Sequence, residues 1–143
     1  MNIPRLLIAI VAGFAFIFAS DFLIHGFWLD AEYKASAQLW RPEAEMYTLF
    51  HWMLTAQLLS AVAFMFIWAR WIASGSMLTG CSFGFCFGVA QQVWAIIFFV
   101  VSPVPGTIAA KWFAAGVVQA MVLGVIATGL YRPPVVQRSP RTV

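Results

Sequence analysis

Four long runs of apolar residues alternate with short polar segments along the chain. The runs cover about residues 4–29, 42–71, 77–101 and 107–131. Each is about long enough to cross a ~30 Å hydrocarbon core at 1.5 Å per residue. Pro4 suits the first turn of the first run, Ser102 and Pro103 end the third, and Arg132 with its two following prolines ends the fourth. The pattern predicts four transmembrane helices.

The composition fits this interpretation. Hydrophobic residues make up 63% of the 143 residues and charged residues only 9%, whereas soluble domains carry about a quarter charged residues. We therefore expect an all-α integral membrane four-helix bundle, formed by one domain over residues 1–132. The polar, proline-containing tail at residues 133–143 is expected to be extended or disordered. The first run resembles a signal peptide, but we expect it to be retained as a spanning helix.

Basic residues are distributed unequally between the two ends of the predicted bundle. One end holds Arg5, Arg70, Arg132, Arg138 and Arg141, and the other holds Lys34, Arg41 and Lys111. The positive-inside rule places the first end, with both termini, in the cytoplasm of a bacterial inner membrane. The first loop, which carries most of the acidic residues, then faces outward. The arginines flank apolar runs and form no basic stripe, so we expect lipid as a partner and no nucleic acid.

Titratable residues gather near the predicted outer ends of three helices. Counted from the inner boundary at 1.5 Å per residue, His25 lies ~30 Å along the first helix, His51 ~28 Å along the second and Lys111 ~30 Å along the fourth. Asp21 lies one turn deeper and shares a helix face with His25. Charged groups that face lipid are costly, so these side chains should turn inward. The sequence predicts an outward-opening polar funnel.

The funnel has further candidate members on the second helix. Glu43, Tyr47 and His51 recur every four residues and so form one stripe. The acidic first loop would hang over the mouth of the funnel. The predicted ligand-binding residues are therefore Asp21, His25, Glu43, Tyr47, His51 and Lys111.

Several functions fit such a funnel. Two imidazoles and a carboxylate favour a divalent metal ion or another small polar ligand, in a binding or transport role, although Lys111 at the same height disfavours a dication. An internal Asp21–Lys111 ion pair would instead make the cluster structural. Two facing histidines would also suit a bis-histidine haem. A discontinuous polar track through Asp21, the two histidines, Gln57, Gln92 and Gln119 would suit proton or anion movement, but the inner half carries no matching charge.

Two other functional classes remain. The chain lacks HExxH, SxxK and GxSxG motifs, so we expect no enzymatic activity. A non-catalytic accessory subunit of a larger membrane complex is the main alternative to a ligand-binding protein.

Cys81 and Cys86 are five residues apart and should not pair with each other.

Small residues recur every four positions on the third and fourth helices. The two stripes comprise Gly80, Gly84 and Gly88 on the third helix and Gly116, Ala120 and Gly124 on the fourth. Such stripes allow close approach of helix backbones in lipid. We expect these two helices to pack as a hairpin, while contact with another subunit or a second copy is the alternative use.

An Asp-x-x-x-His pattern late in the first helix is followed by a tyrosine and a Leu-Trp pair in the first loop. These are Asp21, His25, Trp28, Tyr33, Leu39 and Trp40. In this first third and in overall hydropathy, the chain resembles small four-helix bacterial membrane proteins of unknown function. The resemblance implies the four-helix fold and brings no assigned chemistry.

Overall fold

The structure, a computed structural model, describes residues 1–132, and this part of the chain is helical with no strand. The elements are α1 (Ile3–Leu23) with a π-helical turn (Ile24–Trp28), α2 (Asp30–Ala35) with a 3₁₀ turn (Ala37–Leu39), α3 (Glu43–Thr48), α4 (Phe50–Ile67) with a π-helical turn (Trp68–Ile72), α5 (Met77–Val101) and α6 (Gly106–Leu130). The predicted tail at residues 133–143 lies outside the described residues.

Within the described residues, four helices are long and apolar enough to cross a membrane. They cover Ile3–Trp28, Phe50–Ile72, Met77–Val101 and Gly106–Leu130. The all-helical class and the four long apolar helices are therefore confirmed. The second of these begins later than predicted, because the chain turns at Leu49 and separates α3 from α4.

The α5–α6 pair has the most extensive helix contact in the structure. A Cβ atom built at Gly84 would overlap the Ala120 carbonyl, and one built at Gly124 would overlap the Gly80 carbonyl. The backbones approach so closely that only hydrogen fits at these positions. The small residues of these two helices thus face each other within one chain.

The close contact continues at Gly88 and Gly116, where side chains also take part. A Cβ at Gly88 would lie 2.9 Å from the Ala120 Cβ, and one at Gly116 would overlap the Gln92 side chain. Close packing therefore continues along most of the hairpin. The α1 helix contacts both α4 and α6 and so joins the hairpin to the second span.

Aromatic side chains fill the half of the bundle that contains the start of α1. Phe64 and Trp68 are fully buried, and their rings contact Phe83 of α5. The Trp68 indole donates a hydrogen bond to the Tyr131 carbonyl at 3.2 Å. The Asn2 backbone N–H donates to the Tyr131 hydroxyl at 3.0 Å. These bonds hold the start of α1, the end of α4 and the end of α6 together.

Candidate functional site

A carboxylate inside the bundle joins three helices. The Gln57 amide on α4 donates to Asp21 Oδ2 at 2.6 Å, and the Gln119 amide on α6 donates to Asp21 Oδ1 at 2.8 Å. Gln119 Nε2 also lies 2.7 Å from Ser20 Oγ, which itself donates to the Phe16 carbonyl. We call Ser20, Asp21, Gln57 and Gln119 the Asp21 cluster.

The charge of Asp21 has no cationic partner in this cluster. Asp21 is the one acidic residue within the four apolar helices. The ion pairs formed within residues 1–132 are Lys34–Asp30, Arg41–Glu45 and Lys111–Glu32, and none of them reaches Asp21. The side-chain hydrogen bonds to this half-buried carboxylate come from two neutral amides, Gln57 and Gln119, and burial of a carboxylate without a cationic partner is costly.

Gln57 contributes a second unsatisfied group to the cluster. Its side chain is 93% buried, since only 7% of the residue is exposed. Its Oε1 atom has no hydrogen-bond partner among the described residues. An unpaired buried oxygen typically costs about 1–3 kcal/mol. This oxygen belongs to the same Gln57 amide that binds Asp21. It is therefore a second acceptor close to the carboxylate for a bound ligand.

The Asp21 cluster borders the surface of the bundle on one side. Ser20 and Gln119 line a groove of about 340 Å³ between α1 and α6. The other lining side chains are apolar and include Phe16, Trp28 and Val118. Two members of the cluster thus border a largely apolar groove on the α1–α6 face.

A separate aromatic layer covers the outer end of α1 and α6. The Trp112 indole donates to the Tyr33 hydroxyl at 2.7 Å, and this hydroxyl lies 2.6 Å from His25 Nδ1. Because the oxygen accepts from Trp112, its own proton remains available for a hydrogen bond with His25 Nδ1. Burial raises the pKa of Tyr33, so the hydroxyl keeps this proton.

Lys111 completes this outer layer. Its ammonium forms an ion pair with Glu32 of α2 and lies 5.0 Å from the centre of the Trp28 ring. The hydrogen bond from Lys111 is the main cause that lowers the pKa of Glu32. The expected Asp21–Lys111 ion pair is therefore not present, because Glu32 takes the lysine at the outer surface.

The residues expected to line one funnel make separate contacts in the structure. His25 contacts Tyr33, whereas His51 is exposed on α4 with its ring 5.3 Å from that of Trp52. No hydrogen bond or ring contact joins the two imidazoles. Tyr47 is 70% exposed and donates only to Glu43, at 3.2 Å. Only Asp21 of the predicted set lies among the Gln57 and Gln119 amides.

Two local features account for this separation. The π-helical turn at Ile24–Trp28 adds a residue per turn and ends the first span with the Leu29 N–H bonded to the Ile24 carbonyl at 2.9 Å. The chain then folds back, so that Leu29 and Ser36 are buried against the bundle. Tyr33 thereby lies beside His25 on the α1 side, while α3 leads away from it.

The described residues offer no metal centre of the predicted kind. Within residues 1–132, no group of three or more His, Cys, Asp and Glu side chains is placed to hold a metal ion. The two imidazoles contact different residues, Tyr33 for His25 and Trp52 for His51. Cys81 and Cys86 are free thiols.

The sequence placed Gln57 and Gln119 with Asp21 on a candidate polar track but did not name them as ligand-binding residues, and it missed Ser20 as a member of the cluster. Counted at 1.5 Å per residue from the inner ends, Gln57 and Gln119 lie at depths of ~20 Å and ~18 Å, about one turn from Asp21. Matching depth was thus a usable signal. The sequence did not show which faces of the three helices meet, because α4 and α6 each bury residues on several faces.

The Asp21 cluster has the chemistry of a small-cation site. It presents one carboxylate, one free amide oxygen and a hydroxyl, which are hard oxygen ligands. It has no nucleophile–base pair and no oxyanion donors arranged for catalysis. No protein-family model, curated protein or solved structure matches the chain, so its function is inferred from this geometry.

Proposed function

We propose that the chain is a multi-pass membrane protein that binds a small polar ligand at Asp21, in a binding or transport-related role. The observation that carries this proposal is an anionic side chain at membrane depth that contacts amides and no cation. Intramembrane ionisable residues generally mark ligand or ion sites, because their burial has to be compensated.

The charge of the cluster selects the class of ligand. One carboxylate neutralises one positive charge, so a monovalent cation or a protonated amine fits better than a dication. Transition metals prefer imidazole or thiolate ligands, and His51 lies outside the Asp21 cluster. A small cation would bind between the Asp21 carboxylate and the free Gln57 Oε1, replacing part of its hydration shell.

The membrane placement is part of the same proposal. The inner end of the bundle carries Arg5, Arg70 and Arg132, and the outer end carries the acidic residues of α2 and α3. The positive-inside rule then supports cytoplasmic termini and a multi-pass location in the plasma (inner) membrane. In this orientation the Asp21 cluster lies in the outer half of the bilayer.

A role as an accessory subunit has one observation in its favour. Every residue from 41 to 53 is exposed, including the large side chains of Met46, Tyr47 and Trp52. An aromatic segment at the outer end of a bundle is suited to contact with another membrane subunit or a second copy. Such a role does not require a ligand at Asp21.

Cation binding by purified protein in lipid nanodiscs tests the proposal. Thermal stability is measured with Na⁺, K⁺, small alkylammonium ions, Ca²⁺ and Zn²⁺. We expect a monovalent or ammonium ion to stabilise the wild type by about 2.7 kcal/mol at a concentration 100 times Kd. Asp21→Asn should abolish this effect.

The matched control is Asp30→Asn, which makes the same chemical change at an exposed carboxylate bound to Lys34. This variant should keep the response of the wild type. An Asp21→Asn variant that responds to cations like the wild type would refute the proposed site. Stable assembly with a partner, together with no response to any cation, would favour the accessory role.

A further inference from the structure

A basic pocket lies at the end of the bundle opposite α2 and α3. The pocket has a volume of about 310 Å³ and is lined by Met1, Asn2, Arg5, Arg70, Tyr131 and Arg132, among others. Three separate elements contribute the arginines: the first turn of α1, the π-helical turn after α4 and the residues after α6. Ligand pockets commonly have volumes of roughly 300–1,000 Å³, so this one suits a small group.

The three arginines have no acidic partner in the structure. None of Arg5, Arg70 and Arg132 takes part in the ion pairs of residues 1–132. The five acidic residues of the chain lie at Asp21, in α2 or in α3, and residues 133–143 contain none. Three guanidinium groups thus share one concave surface with no carboxylate side chain to neutralise them.

The other groups at this pocket also suit an anion. The N-terminus of α1 adjoins it, and the positive end of a helix dipole favours negative charge. The Tyr131 hydroxyl accepts from the Asn2 N–H, and within the described residues it donates to no acceptor. Guanidinium groups bind phosphate oxygens in a bidentate manner, which makes phosphate the anion that this donor set fits best.

The surroundings of the pocket favour a lipid as the source of the phosphate. Three of the four apolar helices begin or end here. Trp71 is 66% exposed at this level, with its ring centre 5.9 Å from the Arg70 guanidinium. Exposed tryptophan next to arginine is typical of the headgroup region of a bilayer. Basic pockets between spanning helices on the cytoplasmic side are known to hold anionic headgroups.

We infer that this pocket binds the phosphate of an anionic phospholipid headgroup through Arg5, Arg70 and Arg132. The inference rests on the proposed membrane placement and is independent of the ligand at Asp21. It assigns a lipid-binding function to residues that otherwise serve only as a topology signal.

The test compares the wild type with a triple variant, Arg5→Gln/Arg70→Gln/Arg132→Gln, in nanodiscs. Native mass spectrometry counts retained lipids after exchange between phosphatidylglycerol and phosphatidylcholine. We expect the wild type to retain phosphatidylglycerol, and each arginine removed to weaken its affinity about fivefold. The triple variant should bind about 100-fold more weakly. Arg41→Gln, at the opposite end, is the matched control and should bind like the wild type.

Further measurements distinguish lipid phosphate from free phosphate, and loss of binding from loss of folding. Retention of phosphatidylglycerol should persist when inorganic phosphate is added in excess; displacement by inorganic phosphate would show a free-anion site and overturn the lipid proposal. Equal retention by the wild type and the triple variant would also overturn it. If the triple variant does not fold, the single variants Arg70→Gln and Arg132→Gln decide, since each should lose about fivefold.

A separate measurement tests the membrane placement itself. A chain that alkaline carbonate extracts from membranes is not integral, and both proposals would then fall. A chain that resists extraction but shows no lipid preference would refute the lipid site alone. Asp21→Asn should leave lipid retention unchanged, so loss of cation binding and loss of lipid binding are separable.

Discussion

Asp21 and His25 lie one helical turn apart on α1 but have different surroundings. Asp21 contacts the Gln57 and Gln119 amides within the bundle, whereas His25 contacts Tyr33 at the outer surface. The first arrangement leaves a carboxylate outside the ion pairs of residues 1–132, and the second leaves a ring paired through its Nδ1 atom. Ligand binding is therefore expected at Asp21, and a structural role is expected for His25.

Substitution of Tyr33 tests the outer layer. Tyr33→Phe removes the acceptor of Trp112 and the partner of His25 Nδ1. We expect a loss of about 1–3 kcal/mol in the free energy of unfolding, since partly buried groups are left unpaired. Tyr47→Phe makes the same change at an exposed hydroxyl and should alter stability by less than about 0.5 kcal/mol. Thermal unfolding in detergent measures both, and equal effects would contradict the network.

The Glu32–Lys111 contact predicts a pH dependence. The hydrogen bond from Lys111 holds the pKa of Glu32 below its ordinary value of 4.5. Because the folded pKa is lower than the unfolded one, the ionised carboxylate stabilises the folded state above about pH 4.5. This contribution is lost as the pH falls through the lowered value.

Glu32→Gln should therefore reduce the loss of thermal stability between about pH 6 and pH 3. Lys111→Gln should have the same effect, because it removes the donor that lowers the pKa of Glu32. The midpoint of thermal unfolding, measured as a function of pH, provides the comparison. Wild-type pH dependence in both variants would show that the two side chains are not in contact.

At the residue level, a carboxylate within an apolar run predicted Asp21 as a candidate site residue without knowledge of the fold, and this stays a prediction. Its partners could not be assigned, because the face of α4 that meets α1 depends on packing throughout the bundle. The alternative of an Asp21–Lys111 ion pair is wrong, because Lys111 pairs with Glu32, which lies in a loop whose folded course the sequence pattern does not specify.

At the scale of elements, repeated small residues were the most informative signal. A four-residue spacing places Gly80 and Gly84 on one face of α5, and it places Gly124 on the small-residue face of α6, independently of the rest of the fold. The structure places these faces against each other. The π-helical turn after Leu23 contains Gly26, and the turn at Leu49 contains neither proline nor glycine, but the spacing of apolar residues did not predict either change.

Alanine substitution of two glycines tests the helix hairpin. Gly84→Ala introduces a methyl group that would overlap the Ala120 carbonyl, so α5 and α6 have to separate. We expect a loss of about 1–3 kcal/mol, as for other overpacked positions. A Cβ at Gly129 meets nothing within 4 Å, so Gly129→Ala should be neutral or slightly stabilising. Equal thermal stabilities for the two variants would contradict the close contact.

At the scale of the whole molecule, charge divides the bundle into two chemically different ends. The acidic residues of α2 and α3 lie at one end, and Arg5, Arg70 and Arg132 lie at the other. The four apolar runs and this division were readable from the sequence because hydropathy and charge are properties of whole segments. The position of the segment that contains α2 could not be predicted from the sequence, because it depends on tertiary contacts of Tyr33 and Trp40.

Reporter fusions test the proposed orientation. Alkaline phosphatase is active only outside the cytoplasm, so fusion after residue 132 should be inactive and fusion after Ser74, before α5, should also be inactive. Fusion in the first loop, near residue 38, should be active. Green fluorescent protein should give the opposite pattern. An active fusion after residue 132 would contradict cytoplasmic termini.

The ¹³C resonance of the Asp21 side-chain carboxyl group gives the most direct test of the central claim, that this carboxylate binds a cation. The protein is labelled at aspartate, placed in nanodiscs and titrated with the monovalent or ammonium ion that stabilises it. We predict a saturable shift of the resonance that Asp21→Asn removes, with the Asp30 resonance unchanged. An Asp21 resonance that does not respond to any cation would contradict the account.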